Sequence, residues 1–209
     1  METIAPFLVD EPGDPAGPLS RLLLVLWHGA GGDVTERSLA AVAGATAAAG
    51  ALGVRARFPY RLAGKRAPDR MPVLLASVQT TVASACALPR AEGRSLALGG
   101  RSMGGRVASM AVADGVAASA LVFLSYPLHP AGQPEKLRDG HLADVPCPML
   151  FVQGDRDALC DLALLRPVIE RLGTRAELAV FAGADHGMRR ANETEIARVV
   201  LDFLQRSSA

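Results

Sequence analysis

Three residues stand out by type and setting. Ser102 lies in Gly100-Arg101-Ser102-Met103-Gly104, a G-x-S-x-G between the apolar β-type run 95–99 (SLALG) and an apolar helical pattern that starts at Met103. A serine there occupies a sharp strand-to-helix turn that pushes its hydroxyl above the strand ends. The start of the following helix brings free N–H groups and a partial positive charge to the same spot. The chemistry this suits is nucleophilic attack, for which a hydroxyl needs a base, and the base a group that orients it. Of the four histidines (His28, His129, His141 and His186), His186 sits in Gly183-Ala184-Asp185-His186-Gly187, just after the last apolar run. Asp157 sits in Gln153-Gly154-Asp155-Arg156-Asp157, just after the run before it. Asp155 competes as the acid, and spacing from Gly154 favours Asp157. All three groups fall at the carboxyl ends of strands, where open α/β sheets bind ligands.

Attack on a carbonyl builds negative charge on its oxygen, so two backbone N–H groups must already point there. Met103, the residue after Ser102, supplies one. The loop His28-Gly29-Ala30-Gly31-Gly32 supplies the other, with the N–H of Ala30 favoured because its small neighbours let a substrate come close. Pocket-rim candidates are His28, Arg61, Arg101, Tyr126 and His129. Of these, His28 is expected to hold the oxyanion loop rather than carry protons, and His129 is either a rim residue or a loop scaffold. His141 reads as an ordinary surface histidine, Asp185 as a loop former and Cys160 as a small buried filler. Arg61, Lys65, Arg66 and Arg70 form a basic loop beside the site, solvated by default and able to meet an anionic substrate group or an acidic partner.

The elements that must position these residues follow from the rhythm of short apolar runs and longer helical patterns, which predicts a parallel sheet with helices on both faces. Strands are expected at 22–27, 54–60, 95–99, 120–125, 149–153 and 177–181, with an antiparallel edge strand at 4–9. Helices are expected at 34–50, 71–88, 103–114, 162–172 and 193–205. Residues 61–70 and the proline-rich 126–134 read as loops. Asp114-Gly115 reads as a helix stop within an apolar stretch that could be mistaken for a membrane span. No internal repeat or long linker interrupts the pattern.

The chain has 209 residues, which fits one domain of 1–209 better than two. Half of them are hydrophobic and 21% charged, which excludes a disordered chain. Lys plus Arg total 22 against 21 Asp plus Glu, so no general attraction to nucleic acid or acidic membrane is expected. At 4%, aromatic residues are too few for base-stacking platforms. Three scattered cysteines, Cys86, Cys147 and Cys160, argue against a disulfide framework or a zinc knuckle and for a reducing compartment. No signal peptide is read at Met1–Asp10, and a cytoplasmic location is expected.

The stretches HGAGG (His28 to Gly32), FPYR (Phe58 to Arg61), GGRSMGGR (Gly99 to Arg106), YPLHPAGQPEKLR (Tyr126 to Arg138), FVQGDRD (Phe151 to Asp157) and GADH (Gly183 to His186) together resemble the α/β-hydrolase superfamily. Within it they resemble the dienelactone-hydrolase-like small serine hydrolases, and most narrowly the subgroup typified by testis-expressed protein thirty and its bacterial relatives. The order Ser102, Asp157, His186 is also the order of that fold. The resemblance implies a mostly parallel sheet without a large cap domain, with Ser102 as nucleophile, Asp157 as acid and His186 as base. Two positions depart from the pattern: Arg101 stands where lysine is commoner, and Ala158-Leu159-Cys160 stands where Pro-Phe-Gly is expected.

A dinucleotide-binding reading fails, because Val34 occupies the place of the third glycine after Gly29 and Gly31 and no acidic residue ends the next strand. The expected function is therefore a serine hydrolase that cleaves a carboxylic ester or thioester of a small-molecule acyl substrate, with no metal and no organic cofactor. The alternative is a non-catalytic interaction module that keeps the fold.

Overall fold

The structure, a computed structural model, describes residues 5–207. Seven strands form one sheet: β1 (Phe7–Asp10), β2 (Leu22–Trp27), β3 (Leu52–Ala56), β4 (Ser95–Arg101), β5 (Ala120–Leu124), β6 (Met149–Gly154) and β7 (Ala176–Phe181). Their spatial order is β1-β3-β2-β4-β5-β6-β7. β1 runs antiparallel to β3 and all other pairs are parallel, as the sequence predicts.

Parallel strands covered on both faces must be apolar throughout. Every residue of β2, β5 and β6 is buried. Side chains alternate between the faces, so one strand feeds two cores. Leu23, Val25 and Trp27 join the core under α3 (Met71–Cys86), α4 (Met103–Ala113) and α5 (Leu162–Leu172). Leu22, Leu24 and Leu26 join the core under α1 (Arg37–Ala48) and α6 (Glu193–Ser207).

Several boundaries differ from the sequence reading for local reasons. The strand expected at 54–60 ends at Ala56, and Pro59 instead opens the short helix α2 (Pro59–Leu62), so the expected loop 61–70 begins inside a helical turn. Proline has no N–H for a strand ladder, whereas the first turn of a helix needs none. The helix expected at 34–50 starts at Arg37, because the Glu36 carboxylate accepts the Leu39 N–H at 3.1 Å and caps the helix there. The edge strand is Phe7–Asp10; Ile4 lies outside the described residues. α4 ends at Ala113 with Gly115 at φ 103°, which is the expected stop. Among the described residues no helix is long and apolar enough to cross a membrane.

Strand order reverses between β2, whose chain continues to β3 on one side, and β4 on its other side. The loops leaving β2 and β4 therefore diverge at their carboxyl ends, the place where open α/β sheets bind ligands. The turn from β4 into α4 is the tightest feature there. Ser102 adopts φ 49° and ψ −116°, a backbone region that costs a residue with a Cβ about 1–3 kcal/mol. Its N–H donates to the Leu124 carbonyl at 2.9 Å, and its own carbonyl accepts the Arg106 N–H at 3.1 Å. Two residues on, α4 presses against the end of β2. A Cβ on Gly104 would stand 2.2 Å from the Trp27 carbonyl oxygen and 2.8 Å from that of His28.

Gly104→Ala should therefore push α4 off β2 and destabilise the protein by about 1–3 kcal/mol. For a chain of this size that lowers Tm by roughly 2–4 °C per kcal/mol, readable by scanning calorimetry. An unchanged Tm would mean that α4 shifts without penalty.

Candidate active site

The turn after β4, the loop after β6 and the loop after β7 bring three side chains into one line. Ser102 Oγ lies 2.8 Å from His186 Nε2. His186 Nδ1 lies 2.8 Å and 2.9 Å from the two carboxylate oxygens of Asp157. A carboxylate can only accept, so Nδ1 carries the ring proton and Nε2 is left to accept the serine hydroxyl. The Asp157 carboxylate is fully buried, and the His186 side chain keeps 25% of its exposure. Two further donors fix the carboxylate: the Gln153 amide at 2.6 Å and the Leu159 N–H at 2.8 Å.

Asp155, the competing acid, faces another way. Its carboxylate accepts the Gly183 N–H at 2.6 Å and so ties the loop after β6 to the loop after β7. The Arg156 N–H donates to the Ala184 carbonyl across the same junction. A Cβ on Gly154 would stand 2.2 Å from that carbonyl oxygen, so the two loops touch backbone to backbone. Asp185 is a loop former, as expected, accepting the N–H groups of Gly187 and Arg189.

The loop after β2 is held from beneath. His28 is fully buried; its Nε2 accepts the Phe58 N–H at 3.2 Å, so Nδ1 holds the proton and donates to the Gly29 carbonyl at 2.7 Å. Burial lowers the pKa of this ring and keeps it neutral. The hydroxyl of Tyr60 donates to the Ala30 carbonyl at 2.8 Å, and burial pushes its pKa up to about 12. Gly32 N–H closes a turn onto the Gly29 carbonyl. Neither Ala30 N–H nor Met103 N–H donates to a protein acceptor among the described residues, and Met103 is the first residue of α4, where helix N–H groups lack helical partners. Tyr60 lies within the FPYR stretch, yet its service to the loop depends on the turn of α2.

The remaining rim candidates are placed by different contacts. Tyr126 is fully buried against Phe123 and Phe151, and its hydroxyl donates to the Arg138 carbonyl at 2.7 Å, so it sits in the core rather than at a rim. His129 is nearly buried; its Nε2 accepts the Asp161 N–H and its Nδ1 donates to the Pro130 carbonyl, which is the scaffold arrangement. Arg61 is paired with Asp33 at 3.7 Å. Arg101 turns its guanidinium to the His186 carbonyl at 2.7 Å. Cys160 is buried and its thiol pKa is pushed up to about 12 by that burial.

A mostly parallel sheet with helices on both faces and a serine turn after β4, followed along the chain by an aspartate and a histidine, defines the α/β-hydrolase class. Residues 20–203 match the alpha/beta hydrolase domain family, and the chain belongs to it. Among solved structures, the protein is similar to XC6422 from Xanthomonas campestris, an α/β serine hydrolase without a lid (20% identity, 96% of this chain and 88% of that chain, TM-score 0.77). It is also similar to Est1E from Butyrivibrio proteoclasticus with ferulic acid bound (16% identity, 96% and 94%, TM-score 0.78). A third is TT1662 from Thermus thermophilus (23% identity, 96% and 92%, TM-score 0.72). At these identities the likeness is one of fold. In keeping with it, among the described residues the longest connection between elements is 125–139, too short for a cap domain.

His141 is not the surface histidine that the sequence suggests. It lies in a short 3-10 turn (Gly140–Asp144), half-buried against α4, with Nε2 2.8 Å from the Ser109 hydroxyl. Burial lowers its pKa from 6.5 to about 4, helped by the Arg106 charge and opposed by Asp139, Asp114 and Asp144. The unfolded chain therefore takes up a proton near 6.5 that the folded protein refuses until about 4. Stability from this residue is complete above that window and falls as the pH drops through it. Thermal unfolding followed from about pH 7 down to about pH 4 should lose Tm less steeply in His141→Gln than in the wild type. Parallel curves would mean that His141 titrates alike in both states.

Proposed function

We propose that the protein is a serine hydrolase that cleaves a carboxylic ester or thioester through an acyl-enzyme. The observation that carries this reading is the unbroken chain from Ser102 Oγ to His186 Nε2 and from His186 Nδ1 to a buried, doubly held Asp157 carboxylate.

In this mechanism Ser102 Oγ attacks the carbonyl carbon while His186 Nε2 takes the hydroxyl proton. The Asp157 carboxylate keeps Nδ1–H in place and stabilises the imidazolium that forms. The carbonyl oxygen becomes an oxyanion and receives the N–H groups of Met103 and Ala30, which have no acceptor among the described residues. The tetrahedral species collapses as His186 returns the proton to the leaving oxygen or sulfur. Water, activated by the same ring, then attacks the acyl-enzyme and releases the acid with Ser102 restored. His28, His129 and Cys160 take no part: both histidine rings are locked by backbone groups and the thiol is held protonated.

Two measurements check this reading. A fluorophosphonate probe should label the purified protein at Ser102, located by mass spectrometry, and Ser102→Ala should abolish both labelling and ester hydrolysis at an unchanged Tm. Failure of the folded wild-type protein to label would reject the reading. With no cap over the turn, a p-nitrophenyl ester series should favour short acyl chains over long ones; a preference for long chains would contradict an open site.

A further inference from the structure

Arg101 is the last residue of β4, directly before Ser102, and its side chain is only 15% exposed. Its guanidinium touches three separate parts of the site. Nη2 donates to the His186 carbonyl at 2.7 Å. Nη1 lies against the loop after β2, where a Cβ on Gly29 would stand 3.1 Å from it, a close approach. Nε faces Glu36 Oε1 at 3.5 Å in an ion pair whose acidic side chain is 20% exposed.

Glu36 is itself fixed. Its other oxygen accepts the Leu39 N–H at 3.1 Å and the Ser38 hydroxyl at 2.7 Å as the cap of α1. A rigid line thus runs from the start of α1 through Glu36 and Arg101 to the backbone of His186. The rest of the 182–190 loop is tied at other points: Gly183 to Asp155, Ala184 to Arg156, and Met188, Gly187 and Arg189 to Asp185. At His186 the anchoring bond to the main chain comes from Arg101. Bonds from charged donors to backbone carbonyls are about twice as strong as neutral ones, and partial burial strengthens them further.

We propose that Arg101 is a positioning residue: its guanidinium, backed by Glu36, fixes the main chain of His186 and so sets the distance between the imidazole and Ser102 Oγ. This inference rests on the serine-hydrolase reading above. Because Arg101 also bears on the Gly29 loop, one side chain holds the base and the oxyanion loop in register with the nucleophile it precedes. It differs from a rim residue, since Nη2 donates to the main chain of His186 and the buried Nε, which makes no hydrogen bond among the described residues, faces the Glu36 carboxylate.

The test uses p-nitrophenyl acetate as the substrate and three variants. Arg101→Met keeps the length and loses the donors and charge. It should lower kcat by about tenfold to a hundredfold at little change in KM, the scale of a base misplaced by about an ångström. Arg101→Lys keeps a charged donor and should recover most of that loss. Glu36→Gln keeps an oxygen for the α1 cap and should give a smaller loss in the same direction. A merely structural role would lower Tm in Arg101→Met without this kcat loss, and lysine would give no rescue.

A second readout needs no turnover. In nitrogen-15-labelled protein the His186 Nδ1 proton should exchange with water about tenfold faster or more in Arg101→Met than in the wild type, as an unanchored ring opens away from Asp157. Unchanged exchange together with unchanged kcat overturns the role of Arg101. Loss of labelling and turnover in the wild type itself would instead overturn the serine-hydrolase reading, and the exchange measurement would still decide whether Arg101 holds the ring.

Discussion

The backbone of Ser102, held at φ 49° and ψ −116°, is the constraint on which the rest of the site depends. A free chain avoids that conformation, so it persists only because its surroundings leave no alternative. Its N–H is bonded to the end of β5, its carbonyl to the first turn of α4, and α4 cannot tilt away because Gly104 already rests on the carbonyls of Trp27 and His28. That contact also joins the serine turn to the loop after β2. The proposed nucleophile and the proposed oxyanion donors are therefore held by one packed junction rather than by independent loops.

The other half of the site is a pair of loops fastened to each other. The loop after β6 carries Asp157 and the loop after β7 carries His186, and between them run the Asp155–Gly183 and Arg156–Ala184 bonds and the close approach at Gly154. Asp155 is thus no spare acid: it sets the spacing of the two loops, and Asp157 uses that spacing to meet His186 with both oxygens. Arg101 reaches across from the serine turn and bonds the histidine loop, which links the two halves of the site.

The four histidines show how one side-chain type is assigned different work by its surroundings. His28 and His129 have both ring nitrogens engaged by backbone groups, so neither is free to exchange a proton with a substrate. His141 is kept neutral by burial against α4. His186 alone combines a carboxylate at one nitrogen, a hydroxyl at the other and a partly open face. A sequence gives the same letter for all four; burial and partners give the chemistry.

Local patterning determined much of this protein. Runs such as Leu22–Trp27 are apolar at every position because a parallel strand is covered on both faces, and that alone dictates the sheet and its helices. The G-x-S-x-G between a strand and a helix, and the order Ser102, Asp157, His186, each just after a strand, are likewise legible, since turn chemistry and strand ends are short-range features. What the sequence by itself could not decide is which side chains meet across distant loops. Tyr126 looked like a rim residue and lies in the core, because its neighbours Phe123 and Phe151 come from β5 and β6. Nothing in the sequence assigns a role to Gln153, Tyr60 or Glu36, yet they hold Asp157, the Ala30 loop and Arg101. Only tertiary structure decides those, because a hydrogen bond depends on distance and direction in space, and strands adjacent in the sheet are far apart along the chain.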